Sequence, residues 1–133
     1  MATRKILDKL NVANKIHSTI TPTGRVDTPL WNPIALREVV VNAIVHNDYS
    51  YGVPAKIELF SDHIEITSIG RIPEGLSEPD FFSGISMPRN KELMRVFRDV
   101  ELVEALGSGM LRIMHSYSKD NFEFGDNYIR FKV

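Results

Sequence analysis

Glu38 and Asn42 stand four residues apart in the stretch ALREVVVNAIVHNDYS, residues 35–50, where nearly all other side chains are apolar. Residues at i and i+4 of a helix share one face, so a carboxylate and an amide can converge on one ligand. The carboxylate can take a proton from water while the amide oxygen holds a metal ion. Val39, Val40, Val41, Ala43, Ile44 and Val45 crowd the pair and leave little room for a broad wet face, although exposure is the commonest fate of a glutamate. The pair is therefore expected to border a polar cavity. His46, Asn47, Asp48 and Tyr49 continue the polar cluster where the helix should end. They read either as helix termination, which suits His at the dipole's negative end and Asn and Asp in turns, or, with His63, as a weak metal-ligand set.

The elements that must position these groups follow from periodicity. Asn32 before Pro33 is a helix start, with Asn capping free amides and Pro at the first helical position, and the helix is expected over residues 33–46. An amphipathic helix is expected from Arg4 to His17, and a loop or short irregular strand from Thr19 to Pro29. Alternation in residues 55–60 and 63–68 around Ser61-Asp62 predicts a β-hairpin. Beyond it come a loop, a short helix opening near Pro79, and helices over residues 90–100 and 109–117 with Leu93, Val96, Phe97 and then Met110, Ile113, Met114, Tyr117 inward. Residues 127–133 alternate once more, with Ile129, Phe131 and Val133 on one face of a last strand. Helices interleaved with hairpins give an α+β sandwich of a sheet under two or three helices.

Glycines mark two further places. Gly70 follows the hairpin, and Gly107 and Gly109 precede the helix of Met110, where glycine lets backbone amides approach a phosphate at a helix N-terminus. A plain flexible turn explains the second place equally well. Arg89 and Asn90 stand at a helix start, Asn90 as its cap and Arg89 facing a phosphate or a carboxylate.

With 133 residues, 43% hydrophobic and 25% charged, the chain suits one domain with a real core. Its 16 basic and 17 acidic residues leave a net charge of −1, which gives no bulk attraction to nucleic acid or acidic membranes. Cysteine is absent, so disulfides and thiolate metal sites are excluded and a cytoplasmic protein is expected. No apolar run reaches the roughly 18 residues of a membrane span.

The order E-x-x-x-N, hairpin with a glycine turn, then GxG opening a helix resembles the Bergerat-fold ATP-binding domain of the GHKL superfamily. REVVVNAIVHNDYS, DHIEITSIGRIPEGL, SMPRN and ALGSGMLRI together resemble the C-terminal ATPase-like domain of transcriptional regulators and helicase-related proteins. The resemblance implies a two-layer sandwich of a mixed β-sheet with helices on one face, over a single domain in which residues 1–32 form an N-terminal helix and loop and residues 33–133 the core. It implies ATP and Mg2+ as cofactors, Glu38 as the base that activates water, and Asn42 as the ligand of the phosphate-bridging magnesium. Ser68 and Gly70 belong to the adenine-side glycine box, and Gly107 and Gly109 to the box of the nucleotide lid. His46 is counted with the cofactor-binding residues. Where those ATPases place an Asp that receives the adenine amino group, this chain has Ser68, a neutral hydroxyl. The lid's glycine pattern is also abbreviated. The resemblance further implies a fragment of a longer regulator that meets DNA only through other domains, with a second copy as a further partner option. The competing expectations are a GHKL-like interaction or dimerisation module without nucleotide, and a metal-dependent hydrolase built on His46, Asp48 and His63.

Overall fold

The computed structural model describes residues 2–14, 16–21, 24–84, 89–100 and 109–133. Helix α1 (Ala2–Ala13) lays Leu10 into the core. It stops earlier than its periodicity predicts, because the Asn14 amide leaves the helix to hydrogen bond both ways with the Trp31 backbone, donating to its O at 3.0 Å and accepting from its N at 3.3 Å. Strand β1 (Ile16–Thr21) then pairs antiparallel with β2 (Gly24–Pro29), a regular hairpin where a loop or short irregular strand is expected from Thr19 to Pro29, with Ile16 opposite Pro29. The β-branched run Thr19, Ile20, Thr21 favours extended backbone.

Helix α2 (Pro33–His46) starts where expected, with Asn32 accepting from the Ala35 amide at 2.9 Å. The hydroxyl of Tyr117 accepts from the Asn32 amide at 2.9 Å. Leu36, Val39, Val40, Val41, Ala43 and Val45 are all buried, so α2 is covered on most sides, as a helix apolar nearly all round requires. Strands β3 (Lys56–Leu59) and β4 (Ile64–Ile69) form the expected hairpin, and β5 (Phe122–Phe124) and β6 (Tyr128–Lys132) complete a sheet in the order β3-β4-β6-β5. All three pairings are antiparallel, where the resemblance implied a mixed sheet. Short hairpins join β3 to β4 and β5 to β6, while the chain between Ile69 and Phe122 carries the helices across before β6 returns antiparallel beside β4.

Register decides which face is which. Ile57, Ile66, Phe131 and Phe122 stand in one row across the four strands and pack toward the helices. The adjacent row, Lys56, Thr67, Arg130 and Glu123, faces outward. There Arg130 donates to Thr67 at 3.2 Å and pairs with Glu123 at 3.3 Å, so the outer face is a polar ladder and the helices lie on the other side. The α+β sandwich is thus the fold.

Helix α3 (Glu78–Phe82) opens with a capping box between Ser77 and Asp80 and delivers Phe81 and Phe82 edge-on to Phe122 and Phe124, with ring centroids 5.3–5.8 Å apart. This cluster fixes β5, a strand too short to read from alternation. On α4 (Lys91–Asp99) Met94 and Phe97 are buried beside Val41 and Val45, while Val96, expected inward, is 42% exposed. Helix α5 (Gly109–Ser116) buries Met110 and Ile113 against α2. Among the described residues no helix is long and apolar enough to cross a membrane.

Candidate functional site

Glu38, Asn42 and His46 occupy successive turns of α2, a polar stripe about 12 Å long at 1.5 Å per residue. All three line one cavity with Ser68, Gly70 and Gly109, so the structure brings together the described residues of the expected nucleotide site, while Asp48, His63 and Asn90 lie outside it. Gly107 lies outside the described residues. The cavity holds about 1060 Å³ of empty space, mouth included. Ile66, Ile129 and Phe131 from the sheet supply apolar wall, and Met110 and Ile113 come from α5.

At the Glu38 end, Arg112 in the first turn of α5 donates to Glu38 Oε1 at 3.0 Å, and the glutamate side chain is only 12% exposed. A Cβ on Gly109 would lie 2.7 Å from Glu38 Oε2 and 3.3 Å from Asn42 Nδ2. A side chain there would push the end of the Glu38 carboxylate aside, so glycine leaves the pair as it stands. Arg112 was not anticipated; the one available signal was its place one turn after the glycines, on the helix that packs α2.

At the His46 end, the backbone of α2 is stopped and tied down. Asn47 is fully buried: its Oδ1 accepts from the Ile69 amide at 2.7 Å and its Nδ2 donates to the Val53 carbonyl at 2.9 Å. Asn90 Nδ2 donates to the carbonyls of Val45 at 2.6 Å and Asn47 at 2.8 Å. Arg89 Nε donates to the His46 carbonyl at 3.0 Å, and its Nη2 donates to the Arg71 carbonyl at 2.8 Å. These are the carbonyls that a helix C-terminus leaves without partners. Asn90 therefore caps the end of α2 rather than the start of α4, where its side chain makes no cap. Arg89 binds carbonyls first and also meets the Asp48 carboxylate at 3.5 Å. Gly70, at φ 101°, admits this arrangement, since a Cβ there would fall 3.0 Å from Arg89 Nη2 and 3.1 Å from Asp48 Cβ.

Burial, with Arg89 as a lesser cause, lowers the His46 pKa from 6.5 to about 4, so the ring is neutral at pH 7. Asp48 accepts from the Ser50 hydroxyl at 2.6 Å and the Ser50 amide at 3.1 Å, which with Arg89 holds its carboxyl below the usual range. HNDY thus terminates the helix, and His46 alone of the four lines the cavity. The metal-site alternative is not assembled. His63 bonds Asp62 at 2.6 Å and stacks on Phe60, and among the described residues no group of three His, Asp or Glu can hold a metal ion.

Comparison with known proteins agrees with this architecture. A crystal structure of the DIP2311 protein from Corynebacterium diphtheriae matches with a TM-score of 0.80 at 20% identity, over 98% of this chain and 28% of that chain. At that identity the likeness shows the fold alone. No curated protein matches. The family described as "Putative ATP-dependent DNA helicase recG C-terminal" matches residues 52–133, more than half of the chain. That span holds Ser68, Gly70, Arg89 and Gly109, while Glu38 and Asn42 precede it and stand on the geometry of α2. By this match the chain belongs to the recG C-terminal family, an ATPase-like domain of the GHKL kind.

Proposed function

We propose that this chain is the nucleotide-binding module of a DNA-linked transcriptional regulator in the cytoplasm, taking ATP with magnesium and leaving DNA contacts to domains outside this chain. One observation carries the reading: Glu38, Asn42, His46, Ser68, Gly70 and Gly109, drawn from four elements and turns, meet in one cavity. Among the described residues the side chains of Asn42, His46 and Ser68 have no hydrogen-bond partner. A polar ligand would supply those partners.

The phosphates belong at the Glu38 end. There α5 presents its N-terminus, whose dipole favours negative charge, and Gly109 keeps the approach open. Arg112 adds a cation beside it. The donor set fits magnesium held by phosphates and water, since Mg2+ keeps several waters and takes few protein ligands; Asn42 would be its protein contact. When bound, the ion neutralises charge on the phosphate oxygens. Glu38 orients a water and takes its proton through Oε2, because Oε1 is engaged by Arg112.

Calorimetric titration with ATP and magnesium tests the binding. A dissociation constant in the micromolar to millimolar range is expected, with a rise in melting temperature by mass action. Glu38→Gln should leave affinity within a few-fold while abolishing any turnover; unchanged turnover would refute the base assignment. A second reading, an interaction module that has lost its nucleotide, is favoured by the Arg112 ion pair on Glu38 and the neutral Ser68. A folded sample whose melting temperature does not move at millimolar ATP would establish it over the first.

A further inference from the structure

We propose that the cavity recognises its base through groups that both donate and accept hydrogen bonds, so that the module takes the 6-oxo purine triphosphates GTP and ITP about as well as ATP. The inference rests on the nucleotide reading above. Ser68 is 6% exposed, lines the cavity and pairs across the sheet with Ile129, so its hydroxyl is a polar point on an apolar wall. Every fully buried side-chain nitrogen or oxygen among the described residues has a partner. The Ser68 hydroxyl has none, so it opens into the cavity.

A hydroxyl rotates: it accepts from a 6-amino group and donates to a 6-oxo group with equal ease. A carboxylate at that position would only accept, drawing the amino group and repelling the oxygen. The other polar group at this end is the His46 ring, likewise without a partner. Burial keeps it neutral, with one N–H and one bare nitrogen. Neighbouring charges add no preference for adenine. Asp48 is engaged by Ser50 and Arg89, Arg89 is spent on carbonyls, and Arg71 at the rim is a donor only.

The test is calorimetric titration of the chain with ATP, GTP and ITP, each with magnesium. Dissociation constants within about tenfold of one another are expected. ATP bound more than about a hundredfold tighter than GTP would overturn this inference and leave the nucleotide reading standing. Binding of none of the three would overturn both. In Ser68→Asp the preference for ATP over GTP should rise at least about tenfold, and an unchanged ratio counts against the proposal. Ser68→Ala, a smaller change, covers the case in which the aspartate variant does not fold. It should weaken ATP and GTP alike, by roughly two- to tenfold, and a loss confined to ATP would overturn the proposal.

Discussion

At the His46 end of α2, the carbonyls of Val45, His46 and Asn47 are taken by Asn90 and Arg89, and Asn47 ties the helix to β4. At the Glu38 end, α5 meets α2 through apolar packing, one ion pair and a glycine contact. The first end is held by side chains reaching backbone, which stays in place whatever occupies the cavity. The second is held by a charged pair whose members can also serve a ligand. Rigidity is placed where a base would be read by the Ser68 hydroxyl and the His46 ring, and adjustable charge where phosphates would arrive.

The largest effect should come from breaking the rigid end. Asn47→Ala leaves the Ile69 amide and the Val53 carbonyl without their partner at a fully buried position. Two orphaned groups cost about 2–4 kcal/mol, readable as a lower denaturation midpoint with an unchanged slope. A loss below about 0.5 kcal/mol would mean that water replaces the amide, and the end would not be rigid in the sense argued.

Titration of His46 probes the same end. Its pKa is about 4 in the folded chain against an ordinary 6.5, so between those values the unfolded chain binds the extra proton. Stability therefore falls as pH drops from about 6.5 toward 4, by roughly 3 kcal/mol at most, since the ring borders an open cavity. His46→Gln should flatten that window relative to the parent chain. Parallel curves for the two would show that the ring is not held neutral.

At the adjustable end, Arg112→Met leaves the mostly buried Glu38 carboxylate unpaired and should cost about 1–2 kcal/mol, between the surface and fully buried limits for ion pairs. A double-mutant cycle with Glu38→Gln isolates the coupling, and a coupling near zero would reduce the pair to coincidence. With ATP present the cost should grow, because the substitution then also removes the cation beside the phosphates.

How much of this was legible tracks the range of the interactions. Helix α2, its Asn32 cap and the β3–β4 hairpin are written in local signals, a cap followed by Pro and strict alternation, and they appear where the sequence places them. The gathering of Glu38, Asn42, Ser68, Gly70 and Gly109 was legible only through motif order, since nothing local tells a helix which strand will face it. Arg89 and Asn90 were visible as residues but not as caps for α2, because their partners are carbonyls 43 to 45 positions earlier and any residue has a carbonyl. Strand β1 was hidden because a helical pattern runs into it and loses only to β-branched residues and the Asn14 bonds. Val96 misled for a related reason: on a nine-residue helix two apolar stripes compete, and contact with Val41 and Val45 selects Met94 and Phe97.

The outer face of the sheet sets the lower bound of the comparison. Glu123 there pairs with Arg130 at 3.3 Å and accepts from the Tyr128 hydroxyl at 2.8 Å, with its side chain 58% exposed. Arg130 also donates to Thr67 and lies over the Tyr128 ring at 4.8 Å, so it keeps two partners if the carboxylate is lost. Water replaces what Glu123 gives up, and Glu123→Gln should change stability by about 0.5 kcal/mol or less, diminishing further in high salt. Glu38→Gln removes the same charge from a pair of similar length, yet its side chain is only 12% exposed. If the two substitutions cost the same in denaturant titrations, solvent screening would be equal at both sites and the Glu38 end would be as wet as the surface. A larger cost at Glu38 would place the difference in burial, the property that lets one carboxylate be used by a ligand while the other only decorates a solvated sheet.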